Sequence, residues 1–172
     1  MIRYLKRACF YLLCPLFWGP AAADSTAQLS GFLSDVAPIC QVEPGAVCVD
    51  LAWQFVDGDG DGQVSLAEAE DLHATVQSWA SGAEGELPPR TRTGVLLGLF
   101  LVNSAGLDAL FAGFDVDQDG ILTQEEFLAD VQLDERPLGD TLLDEDAVDR
   151  PAVAARFGAL APLLQKVYPP SN

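Results

Sequence analysis

Two stretches of twelve residues share one register: DGDGDGQVSLAE at 57–68 and DVDQDGILTQEE at 115–126. Each has aspartate at its first, third and fifth positions, glycine at its sixth and glutamate at its twelfth. A solvated acidic linker would repeat neither this spacing nor the apolar runs beside both stretches. The repeat therefore constrains the fold more than any other feature, because each copy predicts a tight loop held between two helices.

The spacing of the acidic residues in the first loop suits the coordination of calcium. Calcium takes about six to eight oxygen ligands at flexible distances, so a single loop can wrap the ion with alternate residues. Gly62 allows the positive φ that a sharp turn needs. The expected ligands are carboxylates, one backbone carbonyl and one water-bearing hydroxyl: Asp57, Asp59, Asp61, the Gln63 carbonyl, Ser65 and bidentate Glu68.

The second loop repeats the ligand pattern of the first. Its expected ligands are Asp115, Asp117, Asp119, the Ile121 carbonyl, Thr123 and Glu126. Val64 and Leu122 occupy the same position in the two loops, and we expect their backbones to pair and so couple the sites. Ser65 and Thr123 suit a helix N-cap, with a glutamate three residues later as in a capping box. We expect the ion, rather than a backbone amide, to use that glutamate.

The loops and their flanks resemble the EF-hand calcium-binding family. Apolar residues precede each loop where that family's incoming helix carries its inner face: Val49, Ala52, Trp53 and Val56, then Leu107, Leu110, Phe111 and Phe114. The resemblance covers about residues 46–131 of a predicted domain at 46–136, and it implies an all-α fold with a paired helix-loop-helix domain and two bound calcium ions. Magnesium is the alternative ion, but it demands a tighter octahedral geometry than this ligand set favours.

Two features depart from the family pattern. The loops are separated by more chain than an outgoing helix, a turn and an incoming helix require. The surplus predicts a breaker-rich linker at 81–94 and an inserted helix at 95–102. Asp130 falls one turn after Glu126, where the outgoing helix usually has an apolar residue. We therefore expect the second outgoing helix to be short or partly exposed.

Hydrophobic spacing places the remaining helices near the loops. It predicts helices at 47–56, at 66–78, at 104–114 with Ser104 as the cap, and at 125–133. Residues 94–114 are apolar enough to span a membrane. Polar residues near their middle favour instead two buried helices that join near Asn103.

The C-terminal residues 137–172 contain an acidic part and an amphipathic helix. Residues 133–150 are expected to be irregular, and Pro151 suits the first position of a helix. Apolar residues then recur at helical spacing, with a kink expected at Pro162: Val153, Phe157, Leu160, Leu164 and Val167. This stripe suits either ordinary core packing or a groove formed by the paired helix-loop-helix units.

Residues 1–23 have the layout of a cleavable signal peptide. A basic start precedes an apolar run at 8–18 and small residues at 21–23. We therefore expect cleavage after Ala23 and a secreted or periplasmic protein. A membrane anchor is the alternative, but the apolar run is shorter than the roughly 20 residues that a span needs.

Residues 24–45 form an N-terminal segment that carries Cys40. Once the signal peptide is removed, only Cys40 and Cys48 remain. Two cysteines in an exported chain usually form a disulfide, and their spacing matches no redox or zinc motif. Two free buried thiols are the alternative.

The charge balance limits the possible partners and functions. The net charge of −17 at pH 7 argues against nucleic acid and anionic lipid and favours cations or basic proteins. The single histidine, His73, stands in no catalytic motif, so we expect no enzyme activity, and we expect no membrane span in the mature chain. We expect an exported protein that calcium stabilises or that buffers calcium. The alternative is a sensor, in which calcium exposes a groove for a protein partner or for the chain's own C-terminal helix.

Overall fold

The computed structural model describes residues 21–82 and 89–162. These residues are mostly helical, with 69% helix and 5% strand, which confirms the predicted all-α fold class. The elements in chain order are α1 Ala21–Cys40, α2 Gly45–Val56, β1 Val64–Ser65, α3 Leu66–Gly82, α4 Pro89–Ala105, α5 Leu107–Phe114, β2 Ile121–Leu122, α6 Gln124–Phe127, α7 Leu138–Leu143 and α8 Arg150–Arg156. A 3₁₀ turn at Gly158–Leu160 follows α8.

The N-terminal segment is a long helix, α1, which the sequence did not predict. It packs against α3 and α2. Leu29 of α1 is buried, and Phe32 stacks on Phe55 of α2 with ring centroids 4.2 Å apart. Cys40 at the end of α1 is bonded to Cys48 of α2, so the predicted disulfide is confirmed. The bond fixes α1 to the helix that enters the first loop.

The predictions about export and membrane spanning meet the structure only in part. Residues 1–20 of the predicted signal peptide lie outside the described residues, and the expected cleavage point after Ala23 lies in the first turn of α1. Within 21–82 and 89–162, no single helix is both long and apolar enough to cross a membrane. Arg92–Ala105 and Leu107–Phe114 reach that length and composition only as a pair, and they are bent by 91°.

The two loops meet through a short antiparallel pairing of strands. Val64 pairs with Leu122 and Ser65 with Ile121, which confirms the predicted contact between the loop backbones. Val64 and Leu122 are buried together with Phe111 of α5. Partly buried side chains surround these three: Trp53, Val56, Leu66, Ala69 and Phe114. The core therefore lies beside the strand pair and is shared by the helices that enter both loops and the helix that leaves the first.

The helix inserted between the loops, α4, is longer than the predicted 95–102. It begins at Pro89, so residues 89–94 of the expected linker at 81–94 are helical. Proline suits the start of a helix, because the N–H group that it lacks would have no helical partner there. The expectation of a buried helix is wrong for one face of α4, which exposes large apolar side chains: Leu96, Leu97 and Phe100.

The break between α4 and α5 lies at Gly106 instead of near Asn103. Ser104 belongs to α4 and does not cap α5, whose N-cap is Gly106. Gly106 has a φ of 86°, a left-handed conformation that costs glycine little and other residues more. A glycine at this position therefore allows the chain to turn here.

The helix that leaves the second loop is much shorter than the predicted 125–133. It is α6, which ends at Phe127, in agreement with the expectation of a short outgoing helix. The chain then turns, and Val131 forms an antiparallel bridge with Val148. The backbone after the loop thus pairs with the returning C-terminal segment instead of continuing as a helix.

The C-terminal segment is more helical at its start, and less regular later, than predicted. Helix α7 interrupts the part expected to be irregular, and its Thr141 is fully buried. Helix α8 begins at Arg150, so Pro151 is its second residue. The predicted apolar helix breaks at Gly158, where φ is 54°, and the residues that follow Pro162, where a kink was expected, lie outside the described residues. Two members of the stripe lie outside the described residues: Leu164 and Val167.

Candidate metal centre

Both loops begin at the point where a helix ends. Asp57 follows α2 and Asp115 follows α5, and their backbone N–H groups donate to the carbonyls of Trp53 and Phe111 over 2.8 and 2.9 Å. The chain leaves the two helices with nearly the same angles, φ −67° and ψ 90° at Asp57 and φ −70° and ψ 92° at Asp115. The incoming helix therefore sets the first expected ligand in the same way in both loops.

The first aspartate of each loop accepts a hydrogen bond from the glycine at the sixth position. The Gly62 N–H donates to Asp57 Oδ2 over 2.8 Å, and the Gly120 N–H donates to Asp115 Oδ2 over 2.9 Å. The two glycines have φ values of 88° and 85°, as predicted for a sharp turn. These bonds fold each loop back toward its own start.

The third- and fifth-position aspartates each accept a bond from the amide two residues later. The Asp61 N–H donates to Asp59 Oδ1 over 3.1 Å, and the Gln63 N–H donates to Asp61 Oδ1 over 2.8 Å. The second loop repeats these bonds at 3.2 and 2.9 Å, between Asp119 and Asp117 and between Ile121 and Asp119. Short polar side chains stabilise turns in this way, so the acidic residues themselves shape the loop.

The glutamate at the twelfth position of the first loop binds both ends of that loop. Glu68 Oε1 accepts from the Gly58 N–H over 2.8 Å, and Glu68 Oε2 accepts from the N–H and the hydroxyl of Ser65, both over 2.8 Å. The predictions treated capping and ion binding as alternatives for this glutamate. The structure places its carboxylate in the capping contacts and among the loop carboxylates at once.

The second loop forms the same contacts. Glu126 accepts from the Val116 N–H over 2.9 Å and from the Thr123 N–H and hydroxyl over 3.0 and 2.8 Å, and a complete capping box begins α6. These bonds lower the pKa of both glutamates. The Ser65 backbone N–H is the main cause at Glu68, and the Thr123 backbone N–H is the main cause at Glu126, whose pKa falls to about 2. Both carboxylates are therefore ionised at neutral pH, as a metal ligand must be.

Three of the predicted carboxylates in each loop come close enough to share one ion. One oxygen from each member of a group lies within 4.8 Å of the others. The groups are Asp57, Asp59 and Glu68 in the first loop, and Asp115, Asp117 and Glu126 in the second. Like charges at this separation repel one another unless a cation lies between them.

The other predicted ligands lie in the same loops but outside these two groups. Asp61 and Asp119 each direct one oxygen at a loop amide. The hydroxyls of Ser65 and Thr123 donate to the glutamates. The remaining two are expected to act through their carbonyls, and they adjoin or belong to the strand pair: Gln63 and Ile121.

Asp115 carries the clearest indication that a cation belongs in the second loop. It is 7% exposed, and its Oδ1 has no hydrogen-bond partner among the described residues. The matching oxygen of Asp57 accepts from the Gly60 N–H over 2.7 Å and from the Asp61 N–H over 3.2 Å. A buried carboxylate oxygen without a partner is costly. An all-oxygen donor set with such an oxygen fits a hard divalent cation.

Trp53 contacts the first loop in a way that sequence reasoning missed. The sequence placed it only on the inner face of the incoming helix, whereas its Nε1–H donates to the Gly62 carbonyl over 3.1 Å. The equivalent residue of the second loop is Phe111, which has no such donor. The available signal was a tryptophan one turn before the first aspartate, because a buried indole N–H usually finds an acceptor.

An apolar groove of about 560 Å³ lies beside the strand pair, between α2, α3 and α4. We call it the α2–α3–α4 groove, and its walls include Val49, Trp53, Leu72, Val76, Leu99 and Val102. His73 also lines it, and its Nε2 lies 3.2 Å from Gln77 Nε2. Within the described chain, no residue of 150–162 lines this groove.

The likeness to known proteins ends at the level of motif. No family model, no curated protein and no solved structure matches the chain. The resemblance to the EF-hand family therefore stands on the two loop sequences and the apolar residues beside them.

Proposed function

We propose that this protein binds two calcium ions, one in each loop, and that the ions stabilise its fold. One observation carries the proposal. Two loops that are distant in the sequence build nearly the same hydrogen-bonded frame, and each frame brings one oxygen from each of two aspartates and a glutamate within 4.8 Å of the others. Without a cation these carboxylates repel one another, so the free energy of binding becomes stabilisation of the folded state.

The proposed ligands of the first ion are Asp57, Asp59, Asp61, the Gln63 carbonyl, Ser65 through water, and Glu68. Those of the second are Asp115, Asp117, Asp119, the Ile121 carbonyl, Thr123 through water, and Glu126. Calcium suits these sets better than magnesium, because a flexible loop with several carboxylates accommodates a large ion with many oxygen ligands. Magnesium would retain more of its own water.

We propose further that the protein is exported. The N-terminal sequence has the layout of a signal peptide, and the disulfide between Cys40 and Cys48 persists best in an oxidising compartment. Extracellular calcium modules commonly bind at about 10⁻⁴–10⁻³ M. Such an affinity would keep both loops filled where calcium is plentiful.

Calorimetric titration of the full chain with calcium, with the disulfide intact, tests the proposal. We expect two binding events and a rise in thermal midpoint, since a ligand at 100 times its Kd adds about 2.7 kcal/mol of stability. The matched control is the Glu68→Gln/Glu126→Gln double variant, which keeps the size of both side chains. The proposal fails if the unaltered chain shows neither binding heat nor stabilisation at millimolar calcium. It also fails if magnesium at the same concentration binds and stabilises the chain as strongly as calcium.

A second candidate function is that of a calcium sensor, and the α2–α3–α4 groove favours it. The groove is almost entirely apolar, and a protein partner could bury a hydrophobic face there. The C-terminal helix is a weaker candidate for this place, because α8 packs on α5 through Phe157 and Phe114, whose rings lie 6.2 Å apart. A hydrophobic dye separates the two functions. Dye fluorescence that rises with calcium supports a sensor, and stabilisation without dye binding supports a structural or buffering role.

A further inference from the structure

Asp130 stands where an outgoing helix would usually have an apolar residue, and the structure gives it a charged partner. Its Oδ2 accepts a charged hydrogen bond from Nε of Arg156 in α8. The side chains are largely buried, with exposed fractions of 18% for Asp130 and 13% for Arg156. Removing one partner of a largely buried ion pair destabilises the fold strongly, whereas removing one partner of an exposed pair has little effect.

The guanidinium of Arg156 also reaches the helix that enters the second loop. Its Nη1 lies 3.4 Å from the carbonyl oxygens of Gly113 and Phe114, the last two residues of α5. Carbonyls at the end of a helix have no helical donor and carry the negative end of its dipole, so a cation suits them. The guanidinium lies over the Phe114 ring as well, 5.2 Å from its centre. One side chain thus contacts the chain immediately before the second loop and the chain shortly after it.

The backbone near α8 is fixed to the exit of the same loop. The Gln132 N–H donates to the Ala147 carbonyl over 2.7 Å, and the Asp149 N–H donates to the Asp130 carbonyl over 2.9 Å. Asp149 is also the N-cap of α8, where it accepts from the Ala152 N–H over 3.0 Å. Arg156 therefore extends from a helix that is already anchored beside Asp130.

Gly113 allows the close approach of α8 to the end of α5. A Cβ atom added at this position would lie 2.2 Å from the carbonyl oxygen of Arg156. No Cβ atom tolerates such a contact with backbone, so any larger residue would push the two helices apart. The glycine and the arginine therefore serve one contact.

We propose that Arg156 is a positioning residue for the second loop: it holds the end of α5 and the Asp130 segment at a fixed separation and so prepares residues 115–126 for the ion. The proposal rests on the proposed function, because it concerns how this loop takes calcium. A loop whose two ends are already fixed loses less freedom when the ion binds, and its affinity is correspondingly higher.

The positioning role of Arg156 can be tested separately from its effect on the net charge of the protein. Arg156 and Asp130 carry opposite charges and lie in contact, so removing both together leaves the net charge unchanged. The Asp130→Asn/Arg156→Gln double variant therefore removes the contact while keeping the attraction of the protein for calcium nearly constant. Gly113→Ala gives an independent route, since it separates α8 from α5 without changing any charge.

Calcium titration should be carried out in the Glu68→Gln background, where only the second loop binds. We expect both changes, the double variant and Gly113→Ala, to weaken the second site by about tenfold through the added ordering cost. The matched control is Glu145→Gln/Arg150→Gln, which removes another ion pair of the C-terminal segment, with exposed fractions of 54% and 28%. We expect this control to leave the second-site affinity within about twofold of the unaltered chain.

Hydrogen exchange in the absence of calcium provides a readout that does not depend on the ion. We expect the amides of 115–126 to exchange about tenfold faster in the double variant, with those of 57–68 unchanged. In the Glu126→Gln background, where only the first loop binds, the double variant should leave the first-site affinity for calcium unchanged.

Three results would overturn the proposal: an unchanged second-site affinity in both the double variant and Gly113→Ala, an equal loss at both sites, or unchanged exchange of 115–126. An equal loss at both sites would mean that Arg156 only stabilises the whole fold. If the unaltered chain binds no calcium, the proposed function is wrong. The exchange measurement then decides the positioning role by itself: faster exchange confined to 115–126 supports it, and no change overturns it.

Discussion

The two loops are nearly identical in their hydrogen bonds, yet the helices that leave them are held differently. Helix α3, which leaves the first loop, has 17 residues and packs along α1. From the second runs α6, a helix of four residues, after which the chain turns back. The first outgoing helix therefore has a helical neighbour along its length, while the second is replaced by a turn that needs other support.

The contacts that hold the neighbouring helices differ in chemistry between the first loop and the second. The disulfide and the stacked pair Phe32 and Phe55 hold α1 to α2 beside the first loop. Beside the second loop, the largely buried ion pair of Asp130 and Arg156 joins the chain after the loop to α8. The difference shows that the motif specifies the loop itself, through carboxylates that accept bonds from nearby amides. The placement of the flanking helices depends on residues far away in the sequence.

The largest expected effect comes from the residue that α5, the helix entering the second loop, contributes to the shared core. Trp53 and Phe111 occupy the same position before the two loops, but only Phe111 is buried, at 8% exposure. We expect Phe111→Ala to lower the free energy of unfolding by about 3–5 kcal/mol, because it leaves a cavity beside Val64 and Leu122. Urea denaturation followed by circular dichroism measures this loss.

A phenylalanine on the exposed face of α4 provides the control for that change. Phe100 is 59% exposed, so Phe100→Ala should alter stability by no more than about 0.5 kcal/mol. Equal losses in the two variants would mean that the core beside the strand pair is not shared as described.

The next effect concerns the covalent support of the first loop. We expect Cys40→Ala/Cys48→Ala to cost about 2–3 kcal/mol, because the bond closes a short loop in the unfolded chain. Reductant should destabilise the unaltered chain by a similar amount and leave the variant unchanged. The second-site affinity should stay within about twofold, since its supports do not include the disulfide. A marked loss at the second site would contradict the separation of the two supports.

The parts of the structure that could be predicted are those governed by neighbouring residues. The approach of the loop carboxylates, the glycine turns at Gly62 and Gly120 and the pairing of Val64 with Leu122 all follow from the loop sequences. The disulfide followed from there being only two cysteines after the predicted signal peptide. The turns are set within about a dozen residues, the strand pairing follows from the match between two such loops, and the disulfide follows from simple counting.

The parts that could not be predicted depend on contacts between distant residues. Nothing near Asp130 indicates that Arg156 will pair with it, so Asp130 could only be noted as unexpected. Helix α1 was missed because Pro38 and several small residues obscure its pattern, and its stability comes from packing on α2 and α3. The end of α6 was missed because pairing of Val131 with Val148 competes with helix formation there.

A smaller effect, confined to the first site, should come from a single hydrogen bond that Trp53 forms with the first loop. Trp53→Phe removes the donor to the Gly62 carbonyl while keeping an aromatic ring. We expect a loss of about 1 kcal/mol, or roughly fivefold in affinity, at the first site only. Calcium titration in the Glu126→Gln background measures it.

Trp79→Phe is the matched control for the loss of an indole donor. The Trp79 Nε1–H donates to Ser30 Oγ over 3.0 Å, between α3 and α1 and away from the ligands. Its loss should affect stability but not the affinity of either site. If both tryptophan changes weaken the first site equally, the contact between Trp53 and the loop backbone has no specific role in binding.

The smallest expected effect tests a contact that joins the two sides at a distance from the loops. The Arg136 carbonyl accepts from the Gly45 N–H at the start of α2 over 2.8 Å, and its guanidinium pairs with Asp134 and Asp144. The Arg136 side chain lowers the pKa of Asp134 below its ordinary 3.8. The stabilisation of the folded state by the charged Asp134 is therefore complete above about pH 4–5, and it is lost as the pH falls through the lowered pKa.

Asp134→Asn should accordingly reduce the thermal midpoint slightly at pH 7, by less than any change above, because the pair is exposed and screened by water. The difference from the unaltered chain should shrink as the pH falls below 3.8 and through the lowered pKa, because protonation then removes the charge of Asp134 from the unaltered chain, a charge that the variant lacks at every pH. Glu135→Gln, one residue away and exposed, should leave the midpoint nearly unchanged across this range. A difference for Asp134→Asn that persists below the lowered pKa would mean that the side chain acts through its contact with Thr141, whose hydroxyl donates to Asp134 Oδ1 over 3.4 Å, and not through its charge.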